Sequence, residues 1–180
     1  LGVSQDFKEA AQWVRKAADQ GHTEAEYNLA SLHASGRGVD LDLAEAVRWY
    51  RKAAEKGKAS AQSNLGVYYA SGQGVAEDPK EAVQWFRKAA EQGHRSAQYN
   101  LARAYAAGKA IPQDKIEAYK WFVLAADQGD PDASREKLEL SLEMTSADLA
   151  EGIRRASALS QRLQANQPPA LEELLPVSGQ

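Results

Sequence analysis

The sequence predicts an all-α solenoid of antiparallel helix pairs with a 36-residue repeat, and three observations predict it. All four tryptophans, Trp13, Trp49, Trp85 and Trp121, stand 36 residues apart, the mark of one supersecondary unit written several times. Alanine supplies 34 of the 180 residues, which suits closely packed helices better than sheets. An aspartate before each tryptophan and a glycine after it punctuate the period as helix starts and stops do.

Each period reads as two helices. The one carrying the tryptophan, helix B, begins at Asp6, Asp42, Asp78 or Asp114, with Glu9, Glu45, Glu81 or Glu117 three residues later. That spacing predicts a capping box: the aspartate accepts from a free backbone N–H and the glutamate returns to the cap. Pro79 fits the first helical position, where its missing N–H costs nothing. Ala46, Trp49, Tyr50, Ala53 and Ala54 form the buried stripe of the second helix B, and Gly57 ends it.

Helix A follows within a residue or two, with Ala61, Leu65, Tyr68 and Tyr69 as its stripe and Gly72 as its stop. The links 35–39, 71–75 and 107–111 share small turn residues followed by Val39, Val75 or Ile111, which should tuck back between the helices. Alanine pairs such as Ala53-Ala54 let helices approach closely while the indole fills the remaining space, so the tryptophans are expected in the core.

The period breaks at both ends. Gly2-Val3 matches Gly38-Val39, so the first unit has only its helix B; either residues precede Leu1 or that face packs on another molecule. The second break falls where Glu136, Lys137 and Met144 replace the asparagine, leucine and glycine columns. Residues 132–143 then read as a modified helix A in which Leu138, Leu140 and Leu142 carry the apolar load. The cap sequence Thr145-Ser146-Ala147-Asp148 starts a longer helix bearing Leu149, Ile153, Ala156, Leu159 and Leu163. The organisation is therefore repeats over 1–144, a capping helix over 145–167 and a proline-bearing tail or linker over 168–180. Leu171, Leu174 and Leu175 could dock that tail locally, although a solvated tail is the favoured reading.

Composition narrows the function classes. With 22 basic and 25 acidic side chains the net charge is -3, so no basic field gathers phosphates, and nucleic acid is not an expected partner. Mean hydropathy is -0.58, and no apolar run approaches the roughly 18 residues of a membrane span. The absence of cysteine removes disulfides and thiolate chemistry together but leaves the compartment open.

No catalytic constellation emerges. The motifs H-E-x-x-H, G-x-S-x-G and the Walker A loop are absent, and Gly36-Arg37-Gly38 and Gly72-Gln73-Gly74 recur as turns without a following lysine. His22 and His94 share a turn column and His33 replaces a tyrosine, so no common metal site is expected. Glu9, Glu45, Glu81 and Glu117 recur as caps, whereas an active site is normally a unique departure from a repeat. The sequence thus predicts a non-enzyme without cofactor or metal.

The segment DPKEAVQWFRKAAEQGHRSAQYNLARAYAAG, residues 78–108, resembles the repeat of the Sel1-like family, relatives of the tetratricopeptide repeats. The resemblance covers about residues 2–140 and rests on the Trp, Ala-Ala, Gly and Asn-Leu columns in register. It implies a right-handed superhelix that serves as a non-catalytic scaffold or adaptor for a protein or peptide partner. By the same resemblance helix A lines the concave side. It picks out Glu24, Tyr27 and Ser31, then Ser60, Ser63 and Val67, then Ser96, Tyr99 and Arg103, and tyrosine and arginine are favoured interface types. Asn28, Asn64 and Asn100 lie near this side, where backbone bonding within the stack is the favoured role over gripping a peptide carboxylate. The alternative is an accessory repeat region of a bacterial cell-envelope protein, peptidoglycan-associated or polar-organising, which places periplasm or envelope ahead of cytoplasm. The cysteine-free sequence departs from the cysteine-rich relatives linked to β-lactam binding, so that activity is not implied. End-to-end self-association through the first helix B is a further expectation.

Overall fold

The computed structural model describes residues 7–165. Within them nine helices follow in chain order: α1 (Phe7–Asp19), α2 (Thr23–Ser35), α3 (Leu43–Glu55), α4 (Ala59–Ser71), α5 (Pro79–Ala90), α6 (Arg95–Ala107), α7 (Lys115–Asp127), α8 (Pro131–Ser141) and α9 (Ser146–Ala165). Helices α1, α3, α5 and α7 are the B helices, and α2, α4, α6 and α8 the A helices. From α1 to α8 each helix packs on the next in sequence, which makes the all-α repeat stack. The Asp6 cap, the first five residues and the tail over 168–180 lie outside the described residues.

The helix starts follow from side-chain chemistry, with one correction. Asp42, Asp78 and Asp114 each accept from the backbone N–H of Glu45, Glu81 or Glu117 at 2.9 to 3.0 Å. The glutamates do not return to the cap. The cap N–H groups instead donate to carbonyls of the preceding helix A, at His33, Tyr69 and Tyr105. That frees Glu45 and Glu81 to accept from the indole Nε1 of Trp49 and Trp85, at 2.7 and 2.9 Å.

The loops need glycine for space. A Cβ on Gly74 would lie 2.4 Å from the Leu43 carbonyl, and Gly74 has φ +67°, so the chain crosses directly against the start of the preceding helix B. Val75 and Ile111 pack against the two core clusters, as the spacing predicts.

The indoles of Trp49, Trp85 and Trp121 are buried, but Trp13 is 62% exposed, contrary to the expected core role of all four. No described helix precedes α1 to cover it. Lys16, Lys52 and Lys88, three residues after their tryptophans, place an ammonium 4.3, 3.7 and 4.0 Å from the ring centroid, a cation–π contact that also shields the indole.

The last two helices depart from expectation. Leu140 packs against the core, whereas Leu138 and Leu142 are 64% and 82% exposed, because α9 covers α7 and leaves the outer face of α8 open. Gly152 and Ala156 are buried on α9, and Gly152 is in contact with Tyr119 and the Ile116 carbonyl. Small residues thus let α9 lie close on α7, with Leu159 packed beside them and Ile153 turned outward. Thr145 accepts from the Asp148 N–H at 3.2 Å, the cap that the sequence predicts.

Candidate functional site

Three A helices, α2, α4 and α6, present equivalent positions 36 residues apart. Each is anchored by a leucine of zero exposure, Leu29, Leu65 or Leu101. The residues one turn away are therefore held in fixed register and differ between units.

At α2, Tyr27 is half-buried and meets Tyr50 edge-on at 5.6 Å. Lys58 bridges the units: its ammonium lies 4.8 Å from the Tyr27 ring centroid and 2.6 Å from the carboxylate of exposed Glu24. Ser31 shares a hydrogen bond with the Tyr50 hydroxyl at 3.0 Å and donates to the Tyr27 carbonyl at 3.1 Å. Burial pushes the Tyr50 hydroxyl above the usual phenol range, and hydrogen bonds with Ser31 and Asn64 pull part of the way back.

At α6, Tyr99 donates to Glu136 of α8 at 2.7 Å. The Arg103 guanidinium pairs with the same carboxylate at 3.8 Å and lies 5.7 Å from the Tyr99 ring centroid. Burial, then the Glu136 bond and charge, push the Tyr99 hydroxyl up to about 12, against the pull of Arg103. Phe122 backs the ring at 6.1 Å.

Between these two clusters the tyrosine is absent. Ser63 occupies the tyrosine position, and it is buried, so it is withdrawn as a contact residue; Ser60 is half-buried and Val67 is 47% exposed. A Cβ on Gly66 would lie 2.6 Å from the Phe86 ring. Through this glycine the Phe86 ring of α5 approaches α4 closely. The face thus offers two tyrosines, each beside a cation and a carboxylate, on either side of exposed Val67. Next to Glu136, a hollow of about 330 Å³ between α6, α7 and α8 extends the relief.

Sequence reasoning missed the side chains that brace this face. Gln62 and Gln98 donate to the carbonyls of Ala54 and Ala90, and accept from Gln92 and Gln128 at 2.7 Å. In the preceding unit the same two positions hold Glu26 and Lys56, joined at 2.6 Å. The register of positions 26, 62 and 98 with 56, 92 and 128 carried that signal. Arg15, Arg51 and Arg87 likewise donate to His33 Nε2, Tyr69 and Tyr105, at 2.7 to 2.8 Å. That pairing explains why a histidine stands in a tyrosine column. Glu136 belongs to a departure from the asparagine column, and its meaning needed the packing of α8 on α7.

Among the described residues, no group of three or more histidines, cysteines and carboxylates converges as a metal would need, and no helix is long and apolar enough to cross a membrane.

The family model for the Sel1 repeat matches residues 1–22, 23–58, 59–94 and 95–130. A Sel1 repeat protein from Oxalobacter formigenes is 34% identical, with a TM-score of 0.72 over 92% of this chain and 67% of that one. A protective antigen present in uropathogenic Escherichia coli strains, displaying the same repeat fold, is 26% identical, with a TM-score of 0.64 over 95% of this chain and 45% of its own. The chain therefore spans about two thirds of the first and under half of the second. No curated protein gives a significant match. The repeat match from residue 1 to 130, on a stack whose helices keep the 36-residue register, places this chain in the Sel1 repeat family.

Proposed function

We propose that the chain is a non-catalytic scaffold that takes a protein or peptide partner along the face of α2, α4 and α6. Sel1 repeat proteins are in general protein-interaction scaffolds, and the observation that carries the finer reading is the pair of tyrosine–cation–carboxylate clusters flanking exposed Val67. Such clusters combine large contact area with polar tips, the composition of interface anchors. Glu24, Tyr27, Ser31, Val67, Tyr99 and Arg103 form the contact set. The partner is an extended or helical segment with an apolar side chain for Val67 and charges of both signs to either side.

The test is partner capture with the triple variant Tyr27→Ala, Tyr99→Ala and Arg103→Ala. Capture falls by about tenfold or more, as for lost interface anchors, while the helical melt stays cooperative. Undiminished capture would sink the groove assignment.

A second contact is proposed at α1, where the exposed Trp13 indole, with Lys16 over its ring, serves as an anchor for a second copy of the chain. The cell-envelope reading draws its support from bacterial neighbours alone; fractionation of the native cell checks it, and recovery in the cytoplasmic fraction rejects it.

A further inference from the structure

One cavity on the α9 side of the stack belongs to none of this. It encloses about 300 Å³ between the end of α5, the middle of α7 and the middle of α9. Trp121, Ala158 and Leu159 give it apolar walls, and Lys120, Arg154, Arg155 and Arg162 give it cations, with Glu91 as the lining carboxylate.

The unit around Trp121 differs from its sisters in one respect that bears on ligands. Trp49 and Trp85 donate to the glutamate four residues earlier. In the fourth unit that glutamate, Glu117, is taken by Lys120 of α7 and by Arg155 of α9, the latter at 2.8 Å. Trp121 is 3% exposed, and its Nε1 has no acceptor among the described residues. A buried donor without a partner is rare in folded proteins, so a ligand acceptor is the natural complement. Arg154 and Arg155 share Glu151, while Arg162 has no ion-pair partner among the described residues. The wall carries four cations against one lining carboxylate, Glu91, while Glu117 and Glu151 outside it pair with Lys120, Arg154 and Arg155.

We propose that this cavity binds a small amphipathic anion, a carboxylate carried on an apolar body. The apolar part lies against Trp121, Ala158 and Leu159. The carboxylate accepts from the exposed guanidinium of Arg162, a charge-assisted pairing, and from Trp121 Nε1 once the wall shifts to open that sealed donor. Such a group reaches the site either as a free organic acid or as the C-terminus of a peptide ending in an apolar residue.

The experiment titrates the chain with N-acetyl-leucine, acetyl-Gly-Gly-Leu, N-acetyl-leucinamide and inorganic phosphate while following the indole N–H resonances by NMR. Trp121 is assigned by its loss in Trp121→Phe. Both carboxylates shift the Trp121 resonance, and the amide does not. Arg162→Gln, at an exposed position, weakens the carboxylates by about tenfold, and Tyr99→Ala leaves them unchanged because it lies on the other face. Tighter binding of the tripeptide assigns the peptide source, and equal or weaker binding assigns the free acid. The proposal is overturned if neither carboxylate shifts Trp121, if the amide shifts it equally, if phosphate binds as tightly as the carboxylates, or if Arg162→Gln has no effect. Loss of binding in Tyr99→Ala would overturn the location.

Discussion

One column of identical residues has unequal consequences, because the repeat supplies each tryptophan with the same neighbours in sequence and different ones in space. Trp85 is enclosed by two units, held at Nε1 by Glu81 and covered by Lys88. Trp85→Ala is expected to cost about 3–5 kcal/mol, the loss of a large core side chain and the cavity it leaves. Trp13→Ala is expected to stay within about 1 kcal/mol of the parent, since its indole faces solvent. Denaturant midpoints check both, and equal losses would show that the exposure of Trp13 is not real in solution. Tyr99 gives a test on the pH axis. Its hydroxyl titrates at about 12 in the folded chain, above the ordinary phenol value of about 10. The folded state holds the phenolic proton more tightly than the unfolded one, so this contribution is full below about pH 10 and is lost as pH rises through about 12. The chain should therefore weaken across that window by more than Tyr99→Phe does, as read from urea midpoints; identical alkaline profiles would remove the Tyr99–Glu136 bond from the account.

Element by element, the helices were legible in the residues and their partners were not. The aspartate caps, the stripe of helix B and the stop at Gly57 follow from local chemistry, and the structure keeps them. The glutamate at the third position was misassigned because the cap N–H found a carbonyl on another helix, which spacing along one helix cannot show. The same holds for α9. Ala156 is buried as its place on the stripe predicts, whereas the part of Gly152 in the contact with α7 went unread. A Cβ at Gly152 would lie 2.9 Å from the Tyr119 ring, so Gly152→Val should cost about 1–3 kcal/mol of docking energy. Hydrogen exchange then shows faster exchange over 146–165 with α3 to α6 unchanged. Unchanged protection in α9 would mean that its seat on α7 is not close.

At the scale of the whole chain, stability is a sum over neighbours, since each unit touches only the units beside it. Among the described residues, Trp13 and Phe7 on α1, and Leu138 and Leu142 on α8, are exposed. The second-copy contact proposed at α1 predicts concentration-dependent association in sedimentation that Trp13→Lys abolishes; association persisting in that variant would assign it to another face, such as α8.

The division between sequence and structure runs along the difference between repetition and departure. Period, helix boundaries, core columns and family lay in the sequence, because each rests on local chemistry repeated in register. The column of candidate contact residues was legible, but which of its members are exposed was decided in three dimensions: Ser63 is buried where Tyr27 and Tyr99 are only half-buried. The seat of α9, the diversion of Glu117 from Trp121 and the cavity that results also needed the tertiary structure. They arise between residues roughly 40 apart, and a spacing pattern carries no information about contacts that occur only once.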